Sequence, residues 1–282
     1  MLLVDRVDGY FDPQKEDFHM IEVESLPTMP LSRIEGMLRR YDIKGASNNF
    51  QGAYLLYLLY HLKFDKVLLI DNDVYITGSL LSVFDALSHT RCGIVTTPHA
   101  LDPVEDNDHA VRDLTFLKYG LLNLGFIGVR RGSPRVQQFL AWWQDKMELE
   151  GYHRPEEGLF ADQKWVDLAF TYFGDCHCAL RDRSLNVAYW NMHDRARLIR
   201  YDNKTRRTFV GSKPLAFFHF SAWNPETDPT ELSKWPGHKY SLKNVPALVP
   251  LYDEYRRHIV RFTGDGTTLQ WPYAFAKNAT AK

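Results

Sequence analysis

The feature that most restricts the fold is an apolar run, Lys66–Ile70 (KVLLI), which stops abruptly at Asp71. Aliphatic runs without polar alternation are typical of a strand buried on both faces, as in the centre of a parallel sheet. Similar short runs occur at residues 2–4, 92–96, 126–129 and 215–220. Segments with helical spacing of apolar residues lie between most of them. This alternation indicates an α/β protein with a mostly parallel sheet flanked by helices.

The helical segments are predicted from apolar residues that recur every three or four positions. They lie at residues 34–41, 48–62, 134–147, 158–173 and 248–262. Ser133 and Pro134 suit a helix start, because serine can accept hydrogen bonds from the first N–H groups and proline is tolerated in the first turn. We find no linker or repeat, so we expect one domain over residues 1–264 and a loosely ordered tail over residues 265–282.

Composition excludes several classes of protein. The 282 residues carry a formal net charge of −1, which gives no general attraction to nucleic acid. No segment approaches the roughly 20 apolar residues of a membrane span, and the first residues lack the pattern of a signal peptide. We therefore expect the three cysteines, Cys92, Cys176 and Cys178, to be reduced thiols in a cytoplasmic protein. Peripheral attachment to the inner membrane stays open.

Asp71 and Asp73 carry the strongest chemical signal. Two carboxylates separated by one residue can converge on a divalent cation where the chain turns at a strand end, and such a cation can neutralise a diphosphate. Open α/β sheets bind ligands at the carboxyl ends of their strands. The alternative is a loop of solvated carboxylates. We favour the metal site because the pair directly follows a fully apolar strand.

A resemblance to a known family begins at these residues. Residues 64–74 (FDKVLLIDNDV) resemble the YDKVLYLDADV segment of GT-A-fold glycosyltransferases, particularly the glycogenin and lipopolysaccharide-galactosyltransferase group (family 8) and uncharacterised bacterial glycosyltransferases similar to it. The family's FNSGVMLIN strand, DQD segment, YN loop and HFSG segment are matched in the same order by residues 123–129 (NLGFIGV), 161–164 (ADQK), 185–191 (LNVAYWN) and 218–221 (FHFS). The resemblance covers about residues 2–260. It implies a GT-A-like, Rossmann-like fold and sugar transfer from a nucleotide-sugar.

The resemblance also implies a metal centre and a reacting centre. Asp71, Asp73 and His219 would bind Mn²⁺ or Mg²⁺, since oxygen and imidazole ligands suit such cations. His219 could instead be an ordinary core histidine. Asp162 and Gln163 would be catalytic, because a carboxylate or amide oxygen stabilises a developing oxocarbenium ion. For Asp162 the alternative is a carboxylate that interacts with a helix dipole.

Substrate contacts are expected at two further sets of residues. Those toward the donor would be Gln51, Asn72, Asn123 and Gly125. Asn123 could bind sugar hydroxyls, and Gly125 would allow close backbone approach. Those toward the acceptor would be Tyr189, Trp190, Asn191 and His193. Aromatic faces suit sugar rings. The resemblance implies a uridine diphosphate (UDP) donor, retention of anomeric configuration, and a glycan or lipid-linked acceptor.

Two departures from the family pattern leave alternatives open. The chain starts at what corresponds to the family's second strand, so the pocket for the base is expected to be incomplete. Gln51 stands where the family often has a basic residue, which removes an expected charge contact. A non-catalytic sugar- or partner-binding member of the fold is therefore the main alternative. A nucleotidyltransferase also uses paired aspartates, but no glycine-rich phosphate loop is found. Inversion by Asp162 or His193 as a base also stays possible.

Overall fold

The structure is a computed structural model, and it describes residues 1–7, 12–105, 112–235 and 238–263. The strands are β1 (Leu2–Leu3), β2 (Ile21–Glu22), β3 (Lys66–Ile70), β4 (Val74–Ile76), β5 (Ile94–Pro98), β6 (Leu122–Arg130), β7 (His153–Arg154), β8 (Leu159–Phe160), β9 (His177–Ala179), β10 (Ile199–Asp202), β11 (Arg207–Val210), β12 (Lys213–Pro214) and β13 (Phe217–His219). The helices are α1 (Leu31–Arg40), α2 (Ile43–Asn49), α3 (Gln51–Leu56), α4 (Leu81–Ser88), α5 (Asp113–Tyr119), α6 (Pro134–Glu150), α7 (Gln163–Val166), α8 (Ala169–Tyr172), α9 (Met192–Arg195) and α10 (Val249–Thr263).

The largest sheet has the strand order β3-β6-β5-β9. Strand β6 pairs antiparallel with both β3 and β5, and β5 pairs in parallel with β9. The protein is therefore mixed α/β, but the prediction of a mostly parallel sheet is wrong for the described residues. An apolar run does not indicate strand direction. The strand predicted to be central, β3, lies at the edge of this sheet and each of its residues is half-buried, so its predicted burial on both faces is also wrong. Within this sheet the most buried strand is β6, which lies between β3 and β5.

Helices cover the central sheet and form the main core. Helix α6 begins at Pro134 as predicted, although the Ser133 side chain makes no capping hydrogen bond. Phe139 and Trp143 of α6 are fully buried and stack with ring centroids 5.6 Å apart. The predicted helix over residues 48–62 is divided among the end of α2, α3 and a π-helical turn at Tyr57–His61.

The single helix predicted over residues 158–173 is wrong. This segment contains β8, α7 and α8 in succession. Gly158 has a φ of 79° and Ala161 a φ of 45°. Both values lie in the left-handed region, which a right-handed helix cannot accommodate. The apolar spacing in this segment therefore reflects burial of two short helices, not one continuous helix.

A second cluster of buried residues lies toward the C-terminus. Strands β10, β11 and β12 form an antiparallel sheet, and β13 pairs antiparallel with β4. The predicted late strand and terminal helix are confirmed as β13 and α10. Phe220, directly after β13, stacks on Tyr255 of α10 with ring centroids 3.8 Å apart. The predicted tail over residues 265–282 lies outside the described residues, and the single domain over residues 1–264 stays a prediction.

The cysteine prediction is wrong for two of the three residues. Cys92 and Cys178 form a disulfide across 86 residues, whereas Cys176 is free and buried. Cys92 precedes β5, and Cys178 lies in β9 opposite Val95. Sequence spacing could not indicate this pair, because only the parallel pairing of β5 with β9 brings the two cysteines together.

Among the described residues, no helix combines the length and hydrophobicity that a bilayer span requires. Strand β1, at the start of the chain, pairs in parallel with β2 in a two-stranded sheet separate from the central one.

Candidate metal centre and its surroundings

Asp71, Asp73 and His219 come together at the end of β3. The chain turns after this strand, and the Val74 N–H donates to the Asp71 carbonyl at 3.2 Å. Strand β4 then pairs with β13 so that Val74 lies opposite His219. One potential ligand atom from each of the three side chains lies within 4.8 Å of the other two. We call this group the carboxylate–histidine cluster.

The geometry of the cluster suits a divalent cation. His219 is 5% exposed, and its Nε2 lies 3.0 Å from the Asp73 Oδ1. Backbone hydrogen bonds fix the two aspartates: the Asp71 N–H donates to the Gly125 carbonyl at 3.0 Å, and the Phe220 N–H donates to the Asp73 carbonyl at 2.8 Å. Two carboxylates and an imidazole are a common ligand set for divalent ions. The cluster can therefore hold a metal ion.

The two carboxyl groups differ in acidity. Burial raises the pKa of Asp71 to about 6; the positive charge of His219 opposes this shift, and the negative charge of Asp73 adds to it. Burial also works to raise the pKa of Asp73, but the hydrogen bond and charge of His219 outweigh it, so this pKa is lowered. Asp73 is thus ionised readily next to His219, while Asp71 keeps its proton to a higher pH.

Gly125 of β6 leaves the space that the His219 ring occupies. A Cβ atom at this position would lie 2.2 Å from the His219 Cε1 and 2.5 Å from its Nδ1. The same atom would lie 2.9 Å from the Asn123 Oδ1. Distances this short cannot occur between real atoms, so any side chain at residue 125 would displace the imidazole. The glycine predicted to approach the donor therefore contacts the histidine of the cluster.

Asn123 belongs to a buried network of polar side chains beside the cluster. Its Oδ1 accepts from the Gly125 N–H at 3.1 Å and from the Asn186 Nδ2 at 2.8 Å. Its Nδ2 lies 3.3 Å from the His99 Nε2. Asn186 also donates to the Thr97 Oγ1 at 2.8 Å. These hydrogen bonds fix the position of the strand and loop that carry the two amides, although the buried Asn186 Oδ1 has no described partner.

Gln163 is joined to the same network through its amide. The Oε1 accepts from the Leu124 N–H at 3.0 Å, and the Nε2 donates to the Tyr119 carbonyl at 2.9 Å. Both ends of the side chain therefore bind the backbone of neighbouring elements. The structure gives Gln163 a supporting role between α5 and β6, and its catalytic role stays a prediction.

Asp162 lies beside Gln163 and is 5% exposed. Its carbonyl accepts from the Trp143 Nε1 at 3.1 Å. Burial, and then the negative charge of Asp71, raise the pKa of the Asp162 carboxyl well above its usual value. A direct role in catalysis stays a prediction.

The segment predicted to bind the acceptor borders the cluster on one side. Trp190 is 7% exposed, and its ring meets the His219 ring edge-on at 5.0 Å. Tyr189 packs edge-on against Trp190 at 5.3 Å. Asn191 is fully buried, and its Nδ2 donates to the His99 and Asn186 carbonyls. His193 lies farther out, with its Nε2 at 2.9 Å from the Asp102 carbonyl. Contact of these residues with an acceptor stays a prediction.

The two remaining donor residues differ in exposure. Asn72 is exposed between the two aspartates. Gln51 begins α3 and is 7% exposed, and no described hydrogen bond reaches its Oε1. Among the described residues, no hydrogen bond joins the Gln51 side chain to the carboxylate–histidine cluster. Donor binding by these two residues stays a prediction.

Sequence reasoning missed His99. This residue directly follows β5 and is 7% exposed, and burial lowers its pKa to about 3, so that it is a neutral imidazole. Its ring packs against Phe116 at 5.8 Å and Trp190 at 5.5 Å. A single histidine that belongs to no recognisable motif gives no indication in the sequence that it will be buried among these residues. Asn186 lies in the segment 185–191 that resembles the family's YN loop, but its backbone has a φ of 51°, which the sequence does not reveal.

Comparisons with known proteins give weak similarities. No family model matches the chain. A stretch of 144 residues is 23% identical to the uncharacterized protein YfnD of Bacillus subtilis, and it covers 51% of this chain and 44% of that protein. The chain thus spans less than half the length of this relative. Similarity at this level establishes neither a family nor an activity.

Two solved structures resemble the chain at 12% sequence identity. One is a glycosyltransferase involved in glycosylation of the major capsid of PBCV-1, with a TM-score of 0.40 over 77% of this chain and 84% of that one. The other is mouse xyloside xylosyltransferase 1 in its apo form, with a TM-score of 0.37 over 71% of this chain and 73% of that one. Scores this low leave the function to be argued from the site itself.

Proposed function

We propose that this chain is a metal-dependent glycosyltransferase that transfers a sugar from a nucleotide-sugar to a glycan or lipid-linked acceptor. The observation that carries the proposal is the convergence of Asp71, Asp73 and His219 at the end of β3. A bound Mn²⁺ or Mg²⁺ would neutralise the diphosphate as it leaves. The proposal includes a GT-A-like fold, a UDP-linked donor and retention of configuration, as the resemblance in sequence implies.

Residues of the chain would hold the cation, contact the substrate and exclude water. Asp71 and Asp73 would hold the cation from a turn whose backbone is hydrogen-bonded to its neighbours, so little ordering is needed when the substrate arrives. Asn72 is exposed between them and would contact the diphosphate or ribose. Trp190 closes one side of the cluster and would exclude water from it.

Asp162 is the proposed catalytic residue at the reacting centre. Its buried carboxyl is coupled to Asp71, and a carboxylate near the anomeric carbon would stabilise a developing positive charge. Ionisation of this group would be favoured once a cation offsets the charge of Asp71, because the repulsion between the two carboxylates would then fall.

A second candidate is a sugar- or partner-binding protein without turnover. Both ends of the Gln163 amide are occupied by backbone partners, and Gln51 supplies no charge for a phosphate. This alternative keeps the metal site and its surrounding residues but removes transfer. It predicts binding of a nucleotide-sugar without consumption of the donor.

Binding of UDP tests the proposal first. UDP with Mn²⁺ should raise the melting temperature, whereas UDP without a divalent cation should not. Asp73→Ala should abolish the metal-dependent shift, and Asp65→Ala, which removes an exposed carboxylate elsewhere, should keep it. An unchanged shift in the Asp73 variant would refute the metal assignment. Hydrolysis of a UDP-sugar then separates the enzyme from the non-catalytic binder.

A further inference from the structure

A groove on another face of the molecule separates the β10–β11 hairpin from α10. It contains a cavity of about 590 Å³, lined on the hairpin side by Tyr201 and Arg206 and otherwise by α10. A second cavity of about 290 Å³ shares Tyr201, Arg206 and Glu254 with the first and extends to Tyr75 of β4. We call the two cavities together the hairpin groove.

The hairpin groove contains more positive than negative side chains. Its arginines come from both walls and are exposed: Arg206, Arg207, Arg257 and Arg261. In the part of the chain that the structure describes, none of these arginines forms a salt bridge. The acidic residues of the groove are Asp253 and Glu254, and Glu254 accepts from the Tyr75 hydroxyl at 3.0 Å. The Arg257 Nε donates to the Asp253 carbonyl at 3.2 Å, and no described ion pair engages any of the four guanidinium groups, so they can pair with an anionic ligand.

The other residues of the groove suit a sugar ring. Tyr75 and Tyr201 supply aromatic surface, and the exposed Thr205 supplies a hydroxyl oxygen that can accept, since its proton is donated to the Asp202 Oδ2 at 3.0 Å. Saccharides are bound by such combinations, because ring C–H groups pack on aromatic surfaces while hydroxyls pair with polar side chains. Guanidinium groups add bidentate recognition of carboxylate or phosphate. A surface that binds anions through charge alone would need only the arginines, without the aromatic and hydroxyl groups beside them.

Strand β4 connects the hairpin groove with the carboxylate–histidine cluster. Tyr75 lies opposite Phe218 in the β4–β13 pair, whereas His219 lies opposite Val74, so Tyr75 and His219 are on opposite faces of this pair. The Tyr75 ring contacts the Tyr255 ring at 5.6 Å, and Tyr255 stacks on Phe220 next to His219. A packed row of aromatic rings therefore connects the groove with the residue that follows His219.

We propose that the hairpin groove binds an anionic saccharide, namely a carboxylate- or phosphate-bearing part of the acceptor glycan that lies away from the reacting hydroxyl. The groove has the size, the unpaired arginines and the aromatic walls that such a chain requires. The assignment of this saccharide to the acceptor rests on the proposed function, whereas binding of an anionic saccharide in the groove does not.

Isothermal titration of the full chain tests this proposal with three probes. Tetragalacturonate carries a carboxylate on each sugar, maltotetraose is an uncharged saccharide of the same length, and pyrophosphate is an anion without a sugar. The variant Arg206→Ala/Arg257→Ala removes two groove arginines. Its matched control, Arg39→Ala/Arg197→Ala, removes the same charge from exposed positions outside the groove.

Tetragalacturonate should bind the wild type more tightly than either other probe. The groove variant should weaken this binding by about tenfold or more, and the control should stay within about twofold. Equal loss in both variants would mean general charge attraction and would overturn the proposal. So would tetragalacturonate binding no tighter than maltotetraose. Pyrophosphate binding as tight as tetragalacturonate would overturn the saccharide assignment.

The two proposals can fail separately. The groove variant should keep the melting temperature and the metal-dependent UDP shift of the wild type, because its residues lie outside the carboxylate–histidine cluster. Asp73→Ala should lose the metal-dependent UDP shift but bind tetragalacturonate as the wild type does. That result would leave the groove assignment intact. Absence of donor hydrolysis in a chain that binds tetragalacturonate through Arg206 and Arg257 would contradict the enzyme and support the groove.

Discussion

At the scale of single residues, the cluster depends on the absence of a side chain at Gly125 as well as on its three ligands. Asp71 and Asp73 are held by backbone hydrogen bonds, but His219 comes from a strand far along the chain. Its ring occupies the space above Gly125, where a Cβ atom would come within 2.2 Å. The position of the third ligand is therefore set by β6 as well as by its own strand.

Gly125→Ala should impair metal binding more than folding. The added methyl group must displace the His219 ring, so the affinity for Mn²⁺ should fall by about tenfold or more. Gly36→Ala is the matched control, since nothing lies within 4 Å of a Cβ atom at that helical position. Mn²⁺ titration followed by thermal shift measures both variants. Wild-type Mn²⁺ affinity in Gly125→Ala would contradict this account of His219.

At the scale of elements, the apolar pattern predicts where an element lies better than how a strand is placed in its sheet. The bounds of β3 and the start of α6 were predicted from apolar runs and a serine–proline pair. The antiparallel direction of β6 could not be predicted, because a strand buried on both faces has the same composition in either direction. The cluster could be predicted because a resemblance joined distant segments, whereas His99 could not, because its contacts arise only when β5 meets the loop that carries Trp190.

Strand β9 contains a histidine that should make stability depend on pH. His177 is buried, its Nε2 lies 2.8 Å from the Thr96 Oγ1, and burial lowers its pKa to about 4. The unfolded chain takes up this proton near pH 6.5, whereas the folded chain does so only near pH 4. Stability is therefore complete above about pH 6.5 and falls as the pH is lowered toward 4.

His177→Gln should remove this part of the acid destabilisation. Between pH 7 and 4.5 the wild type should lose roughly 2 kcal/mol more stability than the variant. Urea unfolding at the two pH values provides the measurement. His89→Gln serves as the control, since His89 is exposed. Equal losses of stability in the wild type and His177→Gln would show that the pKa of His177 does not differ between the folded and unfolded protein.

At the scale of the whole molecule, the binding features lie where separate parts of the chain meet. The carboxylate–histidine cluster joins the end of β3 to β13, and the hairpin groove joins β10 and β11 to α10. Each needs residues more than 45 positions apart in sequence, so neither forms until the tertiary structure does. Local propensity could not reveal them, and only resemblance over most of the chain indicated the first.

The disulfide between Cys92 and Cys178 should add to the stability of this whole arrangement. It closes a loop between residues 86 apart and holds β9 beside β5. A cross-link of this length restricts the unfolded chain, which corresponds to about 4 kcal/mol of stability if the native geometry is unstrained. A reducing agent should therefore lower the melting temperature of the wild type. Cys92→Ala/Cys178→Ala should melt at the lower temperature with or without reductant, while Cys176→Ala should respond to reductant as the wild type does. A wild type indifferent to reductant would mean that the two thiols are not bonded in solution.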